Sequence, residues 1–211
     1  MIRIVIADDA DLTILGAASV LSADHRYNVV GEARCVADLL DAVESAQPDV
    51  VVMSEWLHSL DILSAVEAVR ERLPTLRVIV MGGLADGLLI CDLLDAGVNG
   101  YLYKSDDLCE LLPGAVHAVM RDRPYLSPTA SAEYLVATQS EQVQERLDPE
   151  ARAVLRLLAQ GEHVGQIALA LDIPTRRVYW LREKLRRRFG ARTNEHMISR
   201  AAAEGFIYPG E

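Results

Sequence analysis

Five short runs dense in β-branched residues recur along the first half of the chain, each followed by a stretch of helix-forming residues. This alternation constrains the fold more than any other feature of the sequence. The runs are residues 2–7 (IRIVIA), 27–31 (YNVVG), 49–53 (DVVVM), 77–81 (RVIVM) and 100–103 (GYLY). They are apolar almost throughout, the pattern of short strands buried on both faces. The intervening segments 10–22, 36–45, 62–73, 84–96 and 105–121 carry helical signals. Gly97 is placed to stop the fourth helix, Ser105 to cap the fifth, and Pro113 with Gly114 to kink or break it. The expected fold class is therefore α/β, a doubly wound five-stranded parallel sheet, followed by something different. In such sheets, chemistry collects beyond the carboxyl ends of the strands. The residues there are Asp8 and Asp9, Ser54 and Glu55, Gly82 and Gly83, and Lys104.

Charge divides the 211 residues into two parts. Residues 146–211 hold 12 Lys and Arg against 8 Asp and Glu, a balance of +4, whereas residues 1–145 hold the remaining 9 against 23, a balance of −14. Opposite signs imply domains with different partners. Before the boundary, RDRPYLSPTA brings two prolines, and residues 131–144 are capable of a helix with a weak apolar face. Beyond it, LDPE is a helix start, with Asp148 as cap and Pro149 at the first position. Four short helices are expected, starting near residues 149, 164, 175 and 194, with Thr175 capping the third. That third helix carries Arg176, Arg177, Arg182, Lys184, Arg186, Arg187 and Arg188 against Glu183 alone, over a core stripe of Val178, Leu181, Leu185 and Phe189. A basic amphipathic helix suits a solvated face, a membrane surface or DNA. Its place after a short helix and a tight turn favours DNA.

Cys35, Cys91 and Cys109 lack disulfide or metal-ligand spacing and are expected to be reduced, buried thiols. No apolar stretch approaches a membrane span and no secretory leader is evident, so a soluble, cytoplasmic protein without membrane association is expected. The sequence holds no phosphate-binding loop, nucleophile pair or metal-ligand cluster, so neither an enzyme nor a cofactor is expected.

IADDAD, PDVVVM, RVIVM and AGVNGYLYKS, in this order and spacing, resemble a response-regulator receiver of two-component signalling over about residues 1–122. The resemblance implies that acids after the first strand and an aspartate after the third hold Mg²⁺. It further implies that the third-strand aspartate accepts a phosphoryl group, which a Ser or Thr after the fourth strand and a Lys after the fifth then engage. An aromatic three residues before that Lys reports the state. In this sequence the acids are Asp8 and Asp9, the lysine is Lys104 and the aromatic is Tyr101, but the acceptor position is Ser54 and the Ser/Thr position is Gly82. A neutral hydroxyl is a weak substitute for a carboxylate toward Mg²⁺ and a poor nucleophile without a base. The pocket is therefore expected to be degenerate, with an Asp–Lys contact preferred over a residual cation or ligand site. Strand alternation turns Glu55 away from the acceptor position. Tyr101 is expected to pack on a subunit face, and Trp56 either fills the pocket or marks a partner surface.

Residues 147 to about 205 are similar to a LuxR-type (NarL/FixJ-type) helix-turn-helix domain, the match resting on Leu147, Val154, Leu155, Ala159, Gly161, Ile167, Ala168, Leu171, Ile173, Val178, Leu185, Gly190 and the region of Arg192. It implies a DNA-reading surface at Arg176, Arg177, Tyr179, Trp180, Arg182, Glu183, Lys184 and Arg187. The aromatics at Tyr179 and Trp180 depart from the family and imply an altered sequence preference. The organisation expected is a pseudo-receiver over 1–122, a linker over 123–146 and the DNA-binding domain over 147–211. The expected partners are double-stranded promoter DNA and a second copy of the chain, with a regulatory protein or small-molecule ligand at the receiver as the alternative.

Overall fold

The sheet that the five apolar runs build has one strand more than expected. In the structure, a computed structural model, residues 1–57, 60–139 and 146–207 are described. The chain divides into two compact units, Met1–Thr138 and Gln139–Glu211. In the first, strands β1 (Ile2–Ala7), β2 (Tyr27–Ala33), β3 (Val50–Ser54), β4 (Arg77–Gly82) and β5 (Gly100–Tyr103) alternate with helices α1 (Asp11–Ser22), α2 (Val36–Ala46), α3 (Ile62–Arg72), α4 (Gly87–Asp95) and α5 (Leu108–Val119). A sixth strand, β6 (Tyr125–Leu126), pairs parallel with β5, giving the order β2-β1-β3-β4-β5-β6. It escaped notice in the sequence because two residues are too few to show a period. Pro124 and Pro128 flank this strand, and Pro128 opens the next helix, α6 (Pro128–Gln139). The helical expectation for 140–144 falls outside the described residues.

The central strands are apolar because both of their faces are covered. Val50, Val51, Val52 and Met53 of β3 and Val78, Ile79 and Val80 of β4 are fully buried, each such side chain stabilising the fold by about 1.5–3 kcal/mol. Helix starts follow local chemistry: Asp61, Asp86 and Asp107 cap α3, α4 and α5 through their carboxylates. Asp107, not Ser105, is thus the cap of α5, and α5 runs through Pro113 without a break. Gly97 ends the α4 region at φ +92°, the left-handed conformation that favours glycine.

The second unit contains α7 (Pro149–Ala159), α8 (Val164–Ala170), α9 (Thr175–Arg188) and α10 (Asn194–Ala203). Val178, Leu181, Leu185 and Phe189 are buried as their spacing requires, and Phe206 meets Phe189 edge-on at 5.4 Å. Thr175 begins α9 but does not cap it; Pro174 holds the cap position, without a side-chain hydrogen bond. The turn between α8 and α9 is made by Asp172 at φ +52°, a conformation that Asp tolerates better than most side chains. The described residues contain no helix long and apolar enough to cross a membrane. None of the three cysteines forms a disulfide; only Cys91 is buried, whereas Cys109 is exposed and Cys35 is half-buried, capping α2 with its sulfur. The expectation of three buried thiols thus fails for two.

Asp148 ties the second unit together. Its Oδ1 accepts from the Ala151 N–H at 2.8 Å and its Oδ2 from Lys184 Nζ at 2.6 Å, joining the start of α7 to the middle of α9. Partial burial pushes this carboxyl up, but the Lys184 and Ala151 hydrogen bonds and the charges of Lys184 and Arg177 outweigh it, so it titrates below the usual range. The stabilisation is present above the ordinary carboxylate pKa and is lost as pH falls through the lowered one. Asp148→Ala should cost about 2 kcal/mol in urea unfolding at pH 7, combining a lost cap with an unpaired buried ammonium. Asp148→Asn keeps the cap and should cost about half as much. No loss in Asp148→Asn would remove Lys184 from the stabilisation, and equal losses would remove the cap.

Candidate functional site: a filled receiver pocket and a basic helix

The carboxyl ends of β1, β3 and β5 bring Asp8, Ser54 and Lys104 together. Lys104 Nζ donates to Asp8 Oδ2 and to Ser54 Oγ, both at 2.9 Å. Asp8 and Ser54 are wholly buried, whereas the Lys104 side chain is 30% exposed. The other Asp8 oxygen accepts from the Ala10 N–H at 2.9 Å, and Ser54 Oγ also accepts from the Trp56 N–H at 3.3 Å. Asp9 is exposed, and Trp56 is half-buried. The predicted Asp–Lys contact is therefore present, with Ser54 as its third member.

These residues do not suit the Mg²⁺ that the receiver fold implies. A hard dication needs several oxygens, carboxylates foremost. Here one buried carboxylate is already neutralised by an ammonium, the third-strand position offers a neutral hydroxyl, and the described residues hold no group of three or more His, Cys, Asp or Glu able to bind a metal. Ser54 lacks activation as well: Lys104 and the Trp56 amide are both donors to its oxygen, and neither can take its proton.

Beside this triad lies an arrangement that the sequence reading did not foresee. Glu55 turns away from Asp8, as strand alternation requires, and enters the space above Gly82. Its Oε1 accepts from the backbone N–H groups of Gly83 and Leu84, and its Oε2 lies 3.0 Å from the Tyr101 hydroxyl. That hydroxyl is also 2.8 Å from the Leu84 carbonyl oxygen. Tyr101 is 0% exposed and Glu55 3%. Tyr101 is therefore not on a subunit face as expected; the missing side chain at Gly82 makes room for it to turn inward. A Cβ at residue 82 would overlap the Tyr101 hydroxyl and press on Glu55 Oε2. The signal was Gly82 itself, whose lost volume needed a large partner in reach.

Two short oxygen–oxygen contacts meet at the Tyr101 hydroxyl, which carries one hydrogen. That hydrogen is shared, the hydroxyl donating to Glu55 Oε2 and to the Leu84 carbonyl oxygen. Burial pushes the Glu55 carboxyl up, against the lowering effects of the Gly83, Tyr101 and Leu84 hydrogen bonds and the Lys104 charge. Burial, with the Glu55 charge and hydrogen bond, likewise pushes the Tyr101 phenol up, so it remains a phenol.

In the second unit, α9 sorts the predicted DNA-reading residues into two sets. Arg176, Tyr179, Trp180, Glu183 and Arg187 form one exposed stripe, with Tyr179 and Trp180 each about half exposed (49% and 48%). Neither aromatic is buried against a neighbouring helix. Arg177 and Arg182 are half-buried and stack over these rings, Arg177 over Trp180 at 4.5 Å and Arg182 over Tyr179 at 4.9 Å. Arg177 also donates to Glu150 Oε2 through Nε at 2.8 Å. Glu183 pairs with Arg186 at 2.9 Å. Lys184 departs from expectation: its side chain is 8% exposed and bound to Asp148, so it lies on the core side of the helix rather than on the reading stripe.

Because the folded Glu55 binds its proton more tightly than an unfolded glutamate, its contribution to stability is complete below the unfolded pKa, about 4.5, and is lost as pH rises through the raised one. Glu55→Gln should mimic the neutral state, with its amide N–H₂ donating to Tyr101. The melting temperature of Glu55→Gln minus that of the natural chain should therefore grow as pH rises from about 5 to about 8. A difference independent of pH would place an ionised Glu55 in the folded state throughout.

The family model described as "Response regulator receiver domain" matches residues 4–113. Over 84% of its length the chain is 24% identical to the response regulator protein VraR of Staphylococcus saprophyticus, covering 85% of that protein. It is 29% identical over 80% of its length to the DNA-binding transcriptional activator DevR/DosR of Mycobacterium tuberculosis, covering 79%. Among solved structures, RcsB from Salmonella enterica serovar Typhimurium, bound to promoter DNA with a phosphomimetic, is similar in fold at a TM-score of 0.68 and 20% identity, covering 96% of this chain and 98% of that one. A LuxR-family two-component response regulator from Aurantimonas covers 66% of this chain and 99% of its own, at TM-score 0.63 and 24% identity. The sheet, the sites at its carboxyl ends and the match spanning more than half of the chain together establish that this protein belongs to the response-regulator receiver family.

Proposed function

We propose that this protein is a non-enzymatic, DNA-binding transcription regulator of the response-regulator type that acts without aspartyl phosphorylation. In this reading residues 1–122 are a degenerate receiver, 123–146 connect it onward, and 147–211 form a LuxR-type helix-turn-helix domain that reads promoter DNA as a homodimer in the cytoplasm. The observation that carries the reading is the composition of the pocket: a buried serine held by two donors at the acceptor position, and Tyr101 with Glu55 in the space where a phosphoryl-engaging hydroxyl would stand. The relative DevR/DosR is named a DNA-binding activator, and RcsB is known as dimers on DNA. The exposed stripe of α9 supports the same role here. Arg176 and Arg187 supply phosphate neutralisation, and Tyr179 and Trp180 offer apolar surface to thymine methyl groups in the major groove. Dimerisation supplies the second half-site that one short recognition helix needs. A small molecule in the receiver pocket would first have to displace the Lys104 contacts to Asp8 and Ser54, so that alternative is the weaker one.

Acetyl phosphate should leave the intact mass of the protein unchanged; a phosphoryl adduct mapped to residue 54 would overturn phosphate independence. Replacing Arg176 and Arg187 together by Ala should weaken binding to all duplexes and flatten the dependence of log Kd on log salt by roughly 2, about one per phosphate contact. An unchanged slope would remove these arginines from the interface.

A further inference from the structure

Two glycines bracket the loop between β4 and α4, and each marks a place where another part of the first unit presses against the backbone. At the first, Gly82, no side chain can coexist with the inward Tyr101 hydroxyl and the Glu55 carboxyl. At the second, Gly87, a Cβ would overlap the Glu133 carbonyl of α6 and lie 2.7 Å from Ala137 Cβ. Between them, the Gly83 and Leu84 amides are held by Glu55, the Leu84 carbonyl by Tyr101, and the start of α4 by Asp86. Tyr101 also reaches α6 through its backbone: it pairs with Leu126 of β6, and its carbonyl accepts from the Ser127 N–H at 3.0 Å. The segment that begins α6 is tied again where Ser127 Oγ accepts from the Tyr103 N–H at 2.9 Å, and where Asp106 accepts from Thr129.

We propose that Glu55 and Tyr101, seated over Gly82, form a permanent strut that fixes the 82–87 loop and through it holds α6 against α4. The strut gives the receiver a single conformation without phosphate. A two-state element needs two packings of similar free energy. Here the inward packing of Tyr101 fills the volume that Gly82 leaves, joins three strand ends and satisfies the buried polar groups of Glu55, whereas an outward Tyr101 would leave a void and the Glu55 carboxyl without its partner. Tyr101 takes part in both routes from the pocket to α6, the loop with α4 and the edge strand β6. The helix that precedes the second unit is thereby positioned by the pocket residues themselves. This device stands on the geometry of the first unit and does not require that the second unit bind DNA.

Hydrogen exchange followed by mass spectrometry on the full-length protein tests the strut. Tyr101→Phe keeps the ring and removes the hydroxyl; Gly82→Ala forces the ring out. Both should raise exchange at 83–91 and also at 128–139, by about tenfold for the loss of one buried hydrogen bond and more for Gly82→Ala. Gly87→Ala should raise exchange at 128–139 while leaving 54–57 and 82–84 protected. Faster exchange at 83–91 with α6 unchanged in both Tyr101→Phe and Gly82→Ala would overturn the coupling, and unchanged exchange everywhere would overturn the strut. If Gly82→Ala fails to fold, Tyr101→Phe alone decides between these outcomes. DNA binding by the same samples is scored separately: a strut that passes in a protein that binds no DNA would count against the proposed function only.

Discussion

The receiver unit depends on the exclusion of a side chain at residue 82. Because glycine stands there, the Tyr101 ring turns fully inward, and because Tyr101 turns inward, Glu55 finds a hydroxyl partner where it would otherwise be a buried carboxyl beside two amides. Without the hydroxyl, the second carboxyl oxygen would be buried with its hydrogen-bonding capacity unmet, at a cost to the loop that holds it. With its partners, it closes a hydrogen-bonded chain from the end of β3 to the start of α4. At the same end of the sheet, Ser54 stands where the receiver resemblance implies an aspartate, its oxygen held by two donors. The two arrangements thus involve neighbouring residues, 54 and 55, pointing to opposite sides of a strand end.

The second unit shows a related economy of charge. Its third helix is crowded with cations, and they serve different ends. Lys184 is consumed in the core by Asp148, Arg177 is shared between Glu150 and the Trp180 face, and Arg186 pairs with Glu183. Arg176 and Arg187 lie on the exposed stripe with the two aromatics. Stacking of an arginine on each ring restricts the aromatic side chains before any ligand arrives, so less ordering is left to binding.

Much of the fold was legible from residue type and period. The five longer strands were visible because they are rich in β-branched residues, the central ones buried on both faces, and the start of α10 was placed correctly because Thr193 caps it ahead of the apolar spacing of Met197 and Ala201. β6 was not legible, since Tyr125 and Leu126 have no local signature and exist as a strand only through pairing with β5. The cap of α5 was misplaced because Ser105 and Asp107 are both competent acceptors, and tertiary position alone selects between them. In the site, Asp8, Ser54 and Lys104 were legible through their places at strand ends. Glu55 and Tyr101 were named, but their meeting over Gly82 was not foreseen. A glycine advertises missing volume without saying what fills it. Lys184 was misassigned for a similar reason: on a helix with cations on every face, sequence alone does not show which one meets the acid of another helix.

Phosphate-independent reading of DNA by a dimer is the claim on which the functional account rests. Its most direct test is selection of bound duplexes from a random pool by the untreated full-length protein at near-physiological salt, repeated after exposure to a phosphodonor. The account predicts the same inverted-repeat motif in both selections, with equal enrichment. A motif recovered only after phosphodonor treatment, or no motif from a correctly folded protein, would contradict it.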